Sequence, residues 1–406
     1  MIHRYPKWLD EDLISPENGA PLVYETEYLL TDGERSWPVI EGIPYLRVGR
    51  DETREECVSL LRNNDLISAL AVLLGDQDSW APDPPPGFDR RLEVASGVGS
   101  LRRSMELLGF GRVGDYLIHR LSDPTYLAGL ALLQDNLRGT KRSFQLACGL
   151  GHYSRELVRR DVETTAADVV FAKVWLARRY VTPETRMVCF DASGPFPFPE
   201  AARFDLVLCQ DAFYFLPEKP HVASEMARLV GGNGPDSGAV LIGHTHNAAA
   251  ENLSSGAPLK VPEYAALFSS PLLYDDEALT GDLLSERVPE PRDEADLVNS
   301  RAVCLVQNRR GPEPDTGLLL PPAGTRLRLN PLYAREGETD PACFSLRWPS
   351  ERYELEYAPQ SSYLPQSVEV SRETLRKAFE SGVGSAPEVD GLARRRVLLD
   401  LPEGWW

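Results

Sequence analysis

Short apolar runs alternate with segments of helical periodicity between residues 141 and 309. The predicted strands cover residues 144–148, 164–167, 187–190, 206–209, 239–242 and 302–307, and the predicted helices cover 152–160, 171–180 and 219–229. Short, continuous apolar runs are typical of strands that are buried on both faces. Their alternation with helices indicates a parallel sheet with helices on both sides. We therefore predict an α/β core over residues 141–309.

The segments before this core have different patterns. Residues 1–50 contain short β-like runs between turn formers, which predicts a small β module. Residues 51–140 contain helical periodicity over 53–74 and 101–137, joined by a proline-rich stretch, 76–89, that we expect to be an extended linker. These helices are expected to form a lid over the substrate, although core packing would explain them equally well.

The segment after the core, residues 310–406, is irregular and rich in proline. It contains an expected hairpin at 325–333 and a helix at 371–380 that begins at a serine cap and ends at Gly382. We interpret the segment as an accessory α+β unit packed on the core.

The composition narrows the possible functions. The chain has 42% hydrophobic and 26% charged residues, as soluble globular proteins do, and a net charge of −18 that would repel nucleic acid. The six cysteines are scattered in apolar runs, so we predict buried thiols and no metal site. With neither a signal-peptide pattern nor a long apolar stretch, we expect a cytoplasmic protein without membrane contact.

A glycine-containing turn follows the first core strand, in the sequence SFQLACGLGHYSRELVRR. A strand, a glycine turn and a helix let the backbone approach a ligand and direct helix-start amides at it. Asp168 ends the next strand, where the ribose of an adenosine cofactor favours a carboxylate, and Asp191 ends the third. A lone G-x-G is weak evidence, but these aspartates follow at suitable intervals.

The passage DASGPFPFPEAARFDLVLCQDAFYFLPE resembles a phrase of class I S-adenosylmethionine (SAM)-dependent methyltransferases, D-A-x-x-L-P-F-x-x-x-x-F-D-x-V. The phrase marks the branch that contains quinone-biosynthesis enzymes. The resemblance implies a Rossmann-like seven-stranded methyltransferase sheet and SAM as cofactor. It also implies site roles: Gly149 and Gly151 beside the methionine moiety, Asp168 on the ribose, Asp191 with Ala192 at the adenine edge, and Gln210 beside the sulfonium.

Two residues depart from this family, whose first motif usually begins with an acidic residue and a glycine. Here those positions hold Gln145 and Ala147. Gln145 can accept a hydrogen bond from the ligand's ammonium group without charge assistance, a difference of about 1–2 kcal/mol, or roughly tenfold in binding. These changes leave room for a degenerate enzyme.

The amino terminus carries a second resemblance, in LISPENGAPL and ERSWPVIEGIPYL. These phrases are similar to the small zinc-ribbon domain of partner proteins of tRNA and protein methyltransferases. The matching residues are Trp37, Pro38, Val39, Gly42, Ile43 and Pro44. The cysteines expected near Ser15, Asn18 and between Leu30 and Gly33 are absent, so we predict a metal-free module; an unrelated hairpin remains the alternative.

The candidate catalytic residues are His244, His246 and Tyr214. Both histidines follow the fifth strand, in VLIGHTHN, where open α/β sheets bind ligands. A histidine with a pKa near ~6.5 can accept a proton at neutral pH, although either one could instead cap a helix or pack under the lid. Tyr214 and its aromatic neighbours could line the substrate pocket or belong to the core.

We therefore predict methyl transfer from SAM to oxygen or nitrogen of a small metabolite. The alternatives are a SAM-binding or non-catalytic partner scaffold, and methylation of RNA or protein, whose RNA form the acidic charge argues against. Dehydrogenase activity is the least favoured possibility.

Overall fold

The computed structural model describes residues 5–78, 84–97, 99–234, 236–254, 256–314 and 316–406. The strands are β1 (Val23–Thr26), β2 (Leu29–Thr31), β3 (Ser36–Ile40), β4 (Ile43–Pro44), β5 (Arg142–Leu146), β6 (Glu163–Asp168), β7 (Arg186–Cys189), β8 (Leu206–Gln210), β9 (Ala239–His246), β10 (Leu272–Asp275), β11 (Ala302–Gln307), β12 (Arg328–Leu329), β13 (Tyr333–Glu336), β14 (Ala342–Leu346), β15 (Ser367–Val370) and β16 (Leu398–Leu399).

The helices flank and extend these strands. They are α1 (Asp51–Arg62), α2 (Leu66–Leu73), α3 (Phe88–Ala95), α4 (Leu101–Leu107), α5 (Gly111–His119), α6 (Pro124–Gln134), α7 (His152–Val158), α8 (Phe171–Leu176), α9 (Lys219–Leu229), α10 (Val261–Ala265), α11 (Asp276–Leu284), α12 (Glu351–Tyr357), α13 (Arg372–Glu380) and α14 (Pro387–Arg394). No helix of the described ranges is long and apolar enough to cross a membrane.

A seven-stranded sheet forms the centre of the fold, in the order β10-β11-β9-β8-β5-β6-β7. The five strands from β9 to β7 are parallel, whereas β11 runs antiparallel to both β9 and β10. The predicted α/β class and Rossmann-like seven-stranded sheet are confirmed. The sheet is mixed rather than parallel throughout, because β11 runs antiparallel between β9 and β10, a strand that the pattern did not reveal.

Strand β8 shows why the sheet is buried on both sides. Its residues Leu206 and Leu208 belong to one apolar cluster, and Val207 and Cys209 belong to another on the opposite face. Successive side chains of a strand point to opposite faces, so a continuous apolar run suits a sheet between two helical layers.

The amino-terminal strands β1 to β4 form an antiparallel sheet that packs at the β7 edge. Tyr45 forms a parallel bridge with Cys189, and the Leu46 amide donates to the Cys189 carbonyl at 2.7 Å. The Trp8 indole also donates to the Met187 carbonyl, at 3.1 Å. The edge of the large sheet is therefore covered rather than left open.

The helical segment differs from the prediction in two places. The periodic stretch 53–74 is two helices, α1 and α2, because the chain turns at Asn64 with a left-handed φ of 58°. Helix α3 was not predicted, and the expected linker 76–89 falls partly outside the described residues. Pro124 begins α6, as expected.

The carboxyl-terminal segment contains small sheets of its own. Strand β12 pairs with β16, and β13 pairs with β14, so the hairpin predicted at 325–333 is wrong. The backbone amide of Asn330, just after β12, donates to the carbonyl of Val397, just before β16. The chain then turns away into β13. The helix predicted from Ser371 is confirmed as α13, with the Ser371 hydroxyl accepting the Thr374 amide.

Candidate active site

A cavity of about 670 Å³ lies at the carboxyl ends of the parallel strands. The wall formed by the strand ends and the loops after them contains Gln145, Ala147, Gly149, Asp168, Asp191, Ala192 and Gln210. The opposite wall includes residues from α5 and α12, and Arg47, just after β4, also lines it. Ligands of open α/β sheets bind at this edge.

The glycine turn and the β6 end are joined by one carboxylate. Asp168 is buried, and its two oxygens accept the amides of Gly149, at 2.9 Å, and Val170, at 3.0 Å. Gly149 and Ala147 have left-handed φ angles of 55° and 52°. The turn therefore presents backbone to the cavity, and Ala147 adopts a conformation that glycine prefers.

Gly151 does not line the cavity. It precedes α7 with a φ of 72°, and a Cβ atom there would lie 2.9 Å from Cγ2 of Thr182. The residue is needed for close packing behind the turn, so the structure does not bring it to the predicted position beside the ligand.

Gln145 lines the cavity, but its carbonyl oxygen is already used. Oε1 accepts the amide of Ser154 at 3.1 Å and its hydroxyl at 2.6 Å. The oxygen expected to bind the ligand's ammonium group instead holds the first turns of α7.

Asp191 and Ala192 follow β7 and line the same cavity as Asp168. Oδ1 of Asp191 accepts the Ser193 amide at 2.9 Å, which fixes the direction of the carboxylate. The two aspartates predicted to hold an adenosyl group thus share one cavity.

Gln210 is a lining residue of this cavity whose side-chain amide is buried and unused. It is 5% exposed, and neither side-chain polar atom has a hydrogen-bond partner among the described residues. A Cβ atom on Gly243 would lie 1.5 Å from its Oε1, so only glycine on β9 leaves room for this side chain. Buried amides normally have partners, and a turn of this side chain towards the cavity would bring its amide to a ligand.

Asp211, which the sequence analysis missed, is the centre of a buried network beside Gln210. Its Oδ2 accepts the Tyr116 hydroxyl at 2.8 Å and faces Nη1 of Arg120 at 3.0 Å, while Oδ1 accepts the Tyr214 hydroxyl at 3.2 Å. Burial would raise the pKa of Asp211, but His244, Arg120 and the Tyr116 hydrogen bond hold it below its usual range. The carboxylate stays ionised.

His244 is held between two carboxylates. It has a φ of 44° where β9 departs from regular pairing with β11. Nδ1 lies 2.8 Å from Oδ2 of Asp276, and Nε2 lies 3.8 Å from Oδ1 of Asp211. Burial would lower the pKa of His244, but Asp276 and Asp211 raise it to about 9. The ring is therefore an imidazolium at neutral pH.

His246 lies behind Tyr214. The two rings stack with centroids 3.8 Å apart and planes inclined by 17°. Burial, followed by the charge of His244, lowers the pKa of His246 to about 4, so it is neutral. Tyr214 lines the cavity, whereas neither histidine does.

Asp211, His244 and His246 bring potential metal-ligand atoms within 4.8 Å of one another. A divalent ion there would lie beside the buried Arg120 guanidinium. The negative charges of Asp211 and Asp276 are already matched by Arg120 and protonated His244. We therefore describe the group as a charge-balanced network rather than a metal centre.

Several cavity residues come from segments to which the sequence analysis gave no specific role. Tyr116 lies on α5, and Glu356 and Tyr357 lie on α12. Only Asp211 carried a usable signal, because it directly follows the strand end at Gln210.

The centre of the chain is similar to a known protein family. The family described as "Methyltransferase domain" matches residues 144–235, which run from β5 past α9. No curated protein matches the chain.

Solved structures with some similarity to the chain include CalS10, a SAM-bound amino pentose methyltransferase from Micromonospora echinaspora. CalS10 is 20% identical over 31% of this chain and 50% of its own, with a TM-score of 0.25. CcbJ methyltransferase from Streptomyces caelestis is 11% identical over 47% of this chain and 90% of its own, with a TM-score of 0.34. A third structure is the Haloferax volcanii complex of the Trm112 methyltransferase activator with its candidate methyltransferase. One of its chains is 17% identical over 53% of this chain and 100% of its own, with a TM-score of 0.35.

Proposed function

We propose that this chain, whose residues 144–235 match the methyltransferase domain family, is a class I SAM-dependent methyltransferase that transfers the methyl group to oxygen or nitrogen of a small metabolite. One observation carries this proposal. A single cavity joins the strand-end carboxylates Asp168 and Asp191 to the polar network around Asp211. Cofactor and acceptor would therefore meet within one cavity.

The cavity residues suit the cofactor. In this proposal the Gly149 backbone approaches the methionine moiety, Asp168 binds the ribose and Asp191 with Ala192 contacts the adenine. The unpartnered amide of Gln210 would supply the hydrogen bonds that Gln145 has spent on Ser154. When bound, SAM supplies a methyl group on a sulfonium, which is an excellent leaving group.

The protein's own task is to align the acceptor and handle its proton. We propose that Asp211 and the Tyr214 hydroxyl orient the polar atom of the acceptor. His244 was a candidate base, but its raised pKa suits a positioning role, since an imidazolium cannot accept a proton. His246 is neutral, but Tyr214 separates it from the cavity. It would therefore act only by positioning the tyrosine ring on which it stacks.

The form of the cavity favours a small acceptor. Its walls come from the sheet, α5, α12 and the residues after β4, so distant parts of the chain surround it. Its volume lies within the range of small-molecule sites. The net charge of −18 further disfavours RNA.

A scaffold without activity is the second candidate. It is favoured by Gln145, whose oxygen is committed to Ser154, and by the left-handed Ala147. Calorimetry with SAM and its demethylated product, followed by incubation with methyl-labelled SAM and a metabolite extract, separates the two. Binding with transferred label supports the enzyme. Binding without transfer supports a SAM-binding scaffold, and no binding at millimolar concentration refutes the enzyme and leaves a scaffold without cofactor.

The finer relationships are also proposals. We propose that residues 1–50 form a zinc-ribbon-like module that needs no metal. In its support, Asp32 accepts the Ser15 hydroxyl at 2.7 Å and the Trp37 indole at 3.1 Å, joining the two loops where cysteines were expected. We further propose a helical lid over 51–140, a core over 141–309, an accessory unit over 310–406, kinship with the quinone-biosynthesis branch, and a cytoplasmic location.

A further inference from the structure

The acceptor end of the cavity has an aromatic wall made by α5 and α12. The rings of Tyr116 and Tyr357 lie 6.4 Å apart with planes inclined by 23°, and Tyr353 lies 4.6 Å from Tyr357. All three residues line the cavity. The carboxyl-terminal segment therefore supplies part of the site's surface.

Hydrogen bonds hold α12 in this position. The Tyr353 hydroxyl donates to the buried carboxyl group of Asp123, just before α6. Tyr363, beyond the helix, donates through its hydroxyl to the Ser122 carbonyl. These two contacts join α12 and the chain after it to residues 122–123, and so hold the helix against the cavity.

Glu356 is the acidic side chain on this wall. It is half-buried, lines the cavity, and accepts one hydrogen bond, from the Ser254 hydroxyl at 3.0 Å. Across the described ranges, no Lys, Arg or His nitrogen forms an ion pair with it, in contrast to Asp211 with Arg120. Burial raises the pKa of Glu356 and the charge of Asp211 adds to this, whereas the Ser254 hydrogen bond and the charges of Arg352 and His244 lower it. Arg352 and His244 act on it only from beyond ion-pair distance, so a cationic ligand in contact with the carboxylate would stabilise it.

We propose that the methyl acceptor is an amine, bound as an ammonium ion by Glu356 beside the ring of Tyr357, since the Tyr116 ring already carries the Arg120 guanidinium 4.9 Å from its centroid. This inference rests on the proposed function and names its substrate class. Ammonium groups are attracted to the faces of aromatic rings, and a facing carboxylate adds charge pairing. The side chain of Glu356 therefore combines binding with a route for the proton.

The proposed step is balanced as follows. The bound ammonium gives one proton to the Glu356 carboxylate, which leaves a lone pair on nitrogen. That lone pair forms the N–C bond to the methyl group as the C–S bond breaks, and the bonding electrons remain on sulfur as a thioether. The methylated ammonium leaves, and Glu356 returns its proton to solvent.

The test uses the full chain, methyl-labelled SAM and a metabolite extract divided at pH 7 into cationic, neutral and anionic pools by ion exchange. Label transferred to a component of the cationic pool is the expected result. Transfer confined to the neutral or anionic pool overturns the amine inference and leaves the proposed function standing. No transfer from any pool overturns both.

A matched pair of variants tests the residue itself. Glu356→Gln keeps the size of the side chain and an acceptor for Ser254, and it is expected to lower kcat/KM with the cationic pool at least tenfold. Glu354→Gln, on the exposed side of the same helix and outside the cavity wall, is expected to match the wild type. SAM binding by calorimetry should be unchanged in both. A wild-type rate for Glu356→Gln would overturn its assignment.

Discussion

Nδ1 of His244 lies 2.8 Å from Oδ2 of Asp276, and this contact largely decides the charge of the histidine. The carboxylate of Asp276 is itself buried at the start of α11. With Asp211 and Arg120 nearby, the histidine completes a group of two negative and two positive charges. The candidate site is therefore supported by electrostatic pairing across β8, β9 and α11.

This pairing should make stability depend on pH. The pKa of folded His244 is about 9 and its unfolded value is about 6.5, so its contribution is present below pH 6.5 and is lost as pH rises through 9. We expect unfolding free energy, from urea titrations, to fall across this window by on the order of 1–3 kcal/mol. Asp276→Asn should flatten that fall. An equally steep fall in the variant would contradict the assignment.

The close approach of Gly243 to Gln210 predicts a second effect. Gly243→Ala places a Cβ atom 1.5 Å from the present position of Gln210 Oε1 and must displace the amide. We expect destabilisation of about 1–3 kcal/mol, measured by thermal and urea unfolding, and at least tenfold weaker SAM binding by calorimetry. Gly281→Ala on α11, where a Cβ atom meets nothing within 4 Å, serves as the control and should bind SAM normally. Unchanged binding by Gly243→Ala would argue against a cofactor role for Gln210.

Asp168 should link cofactor binding to the shape of the glycine turn. Asp168→Asn keeps one acceptor oxygen but replaces the other with a donor that faces an amide of Gly149 or Val170. We expect SAM affinity to fall tenfold or more, with a loss of stability of about 1–3 kcal/mol. Asp161→Asn, an exposed position with a left-handed φ of 57° that asparagine tolerates, is the comparison variant. Equal affinity in the two variants would remove Asp168 from the proposed site.

The amino-terminal module should depend on Asp32 rather than on zinc. Asp32→Ala removes the acceptor shared by Ser15 and Trp37 and should cost about 1–3 kcal/mol in unfolding free energy. Glu34→Ala, at an exposed position in the same turn, should cost far less. Adding zinc or a chelator should leave the wild-type melting temperature unchanged. A chelator that lowers it would contradict the metal-free proposal.

The sequence was sufficient to predict the sheet strands that carry the cofactor side of the cavity. Their apolar runs are continuous, and polar residues such as Asp168 and Gln210 stand at their ends, so strand position and ligand edge follow from one pattern. Strand β10 was not predicted because it is only four residues long, LLYD, and only partly buried. The antiparallel course of β11 depends on that missing strand.

The acceptor side could not be predicted in the same way. Tyr116, Asp211 and Tyr357 are far apart in sequence and meet only because α5 and α12 pack over the sheet. The hydrogen bonding of Gln145 could not be predicted either, because it depends on Ser154 of the next helix donating to its side-chain oxygen. Such contacts are decided by tertiary packing rather than by local pattern.

The bridge between Tyr45 and Cys189 has a consequence for how the chain tolerates truncation. Removing residues up to 50 would uncover the outer edge of β7, opposite β6, and leave hydrogen-bonding groups there free to recruit other chains. It would also remove Arg47, which lies two residues after Tyr45 and lines the cavity. Self-association and loss of ligand affinity should therefore arise together in such a fragment.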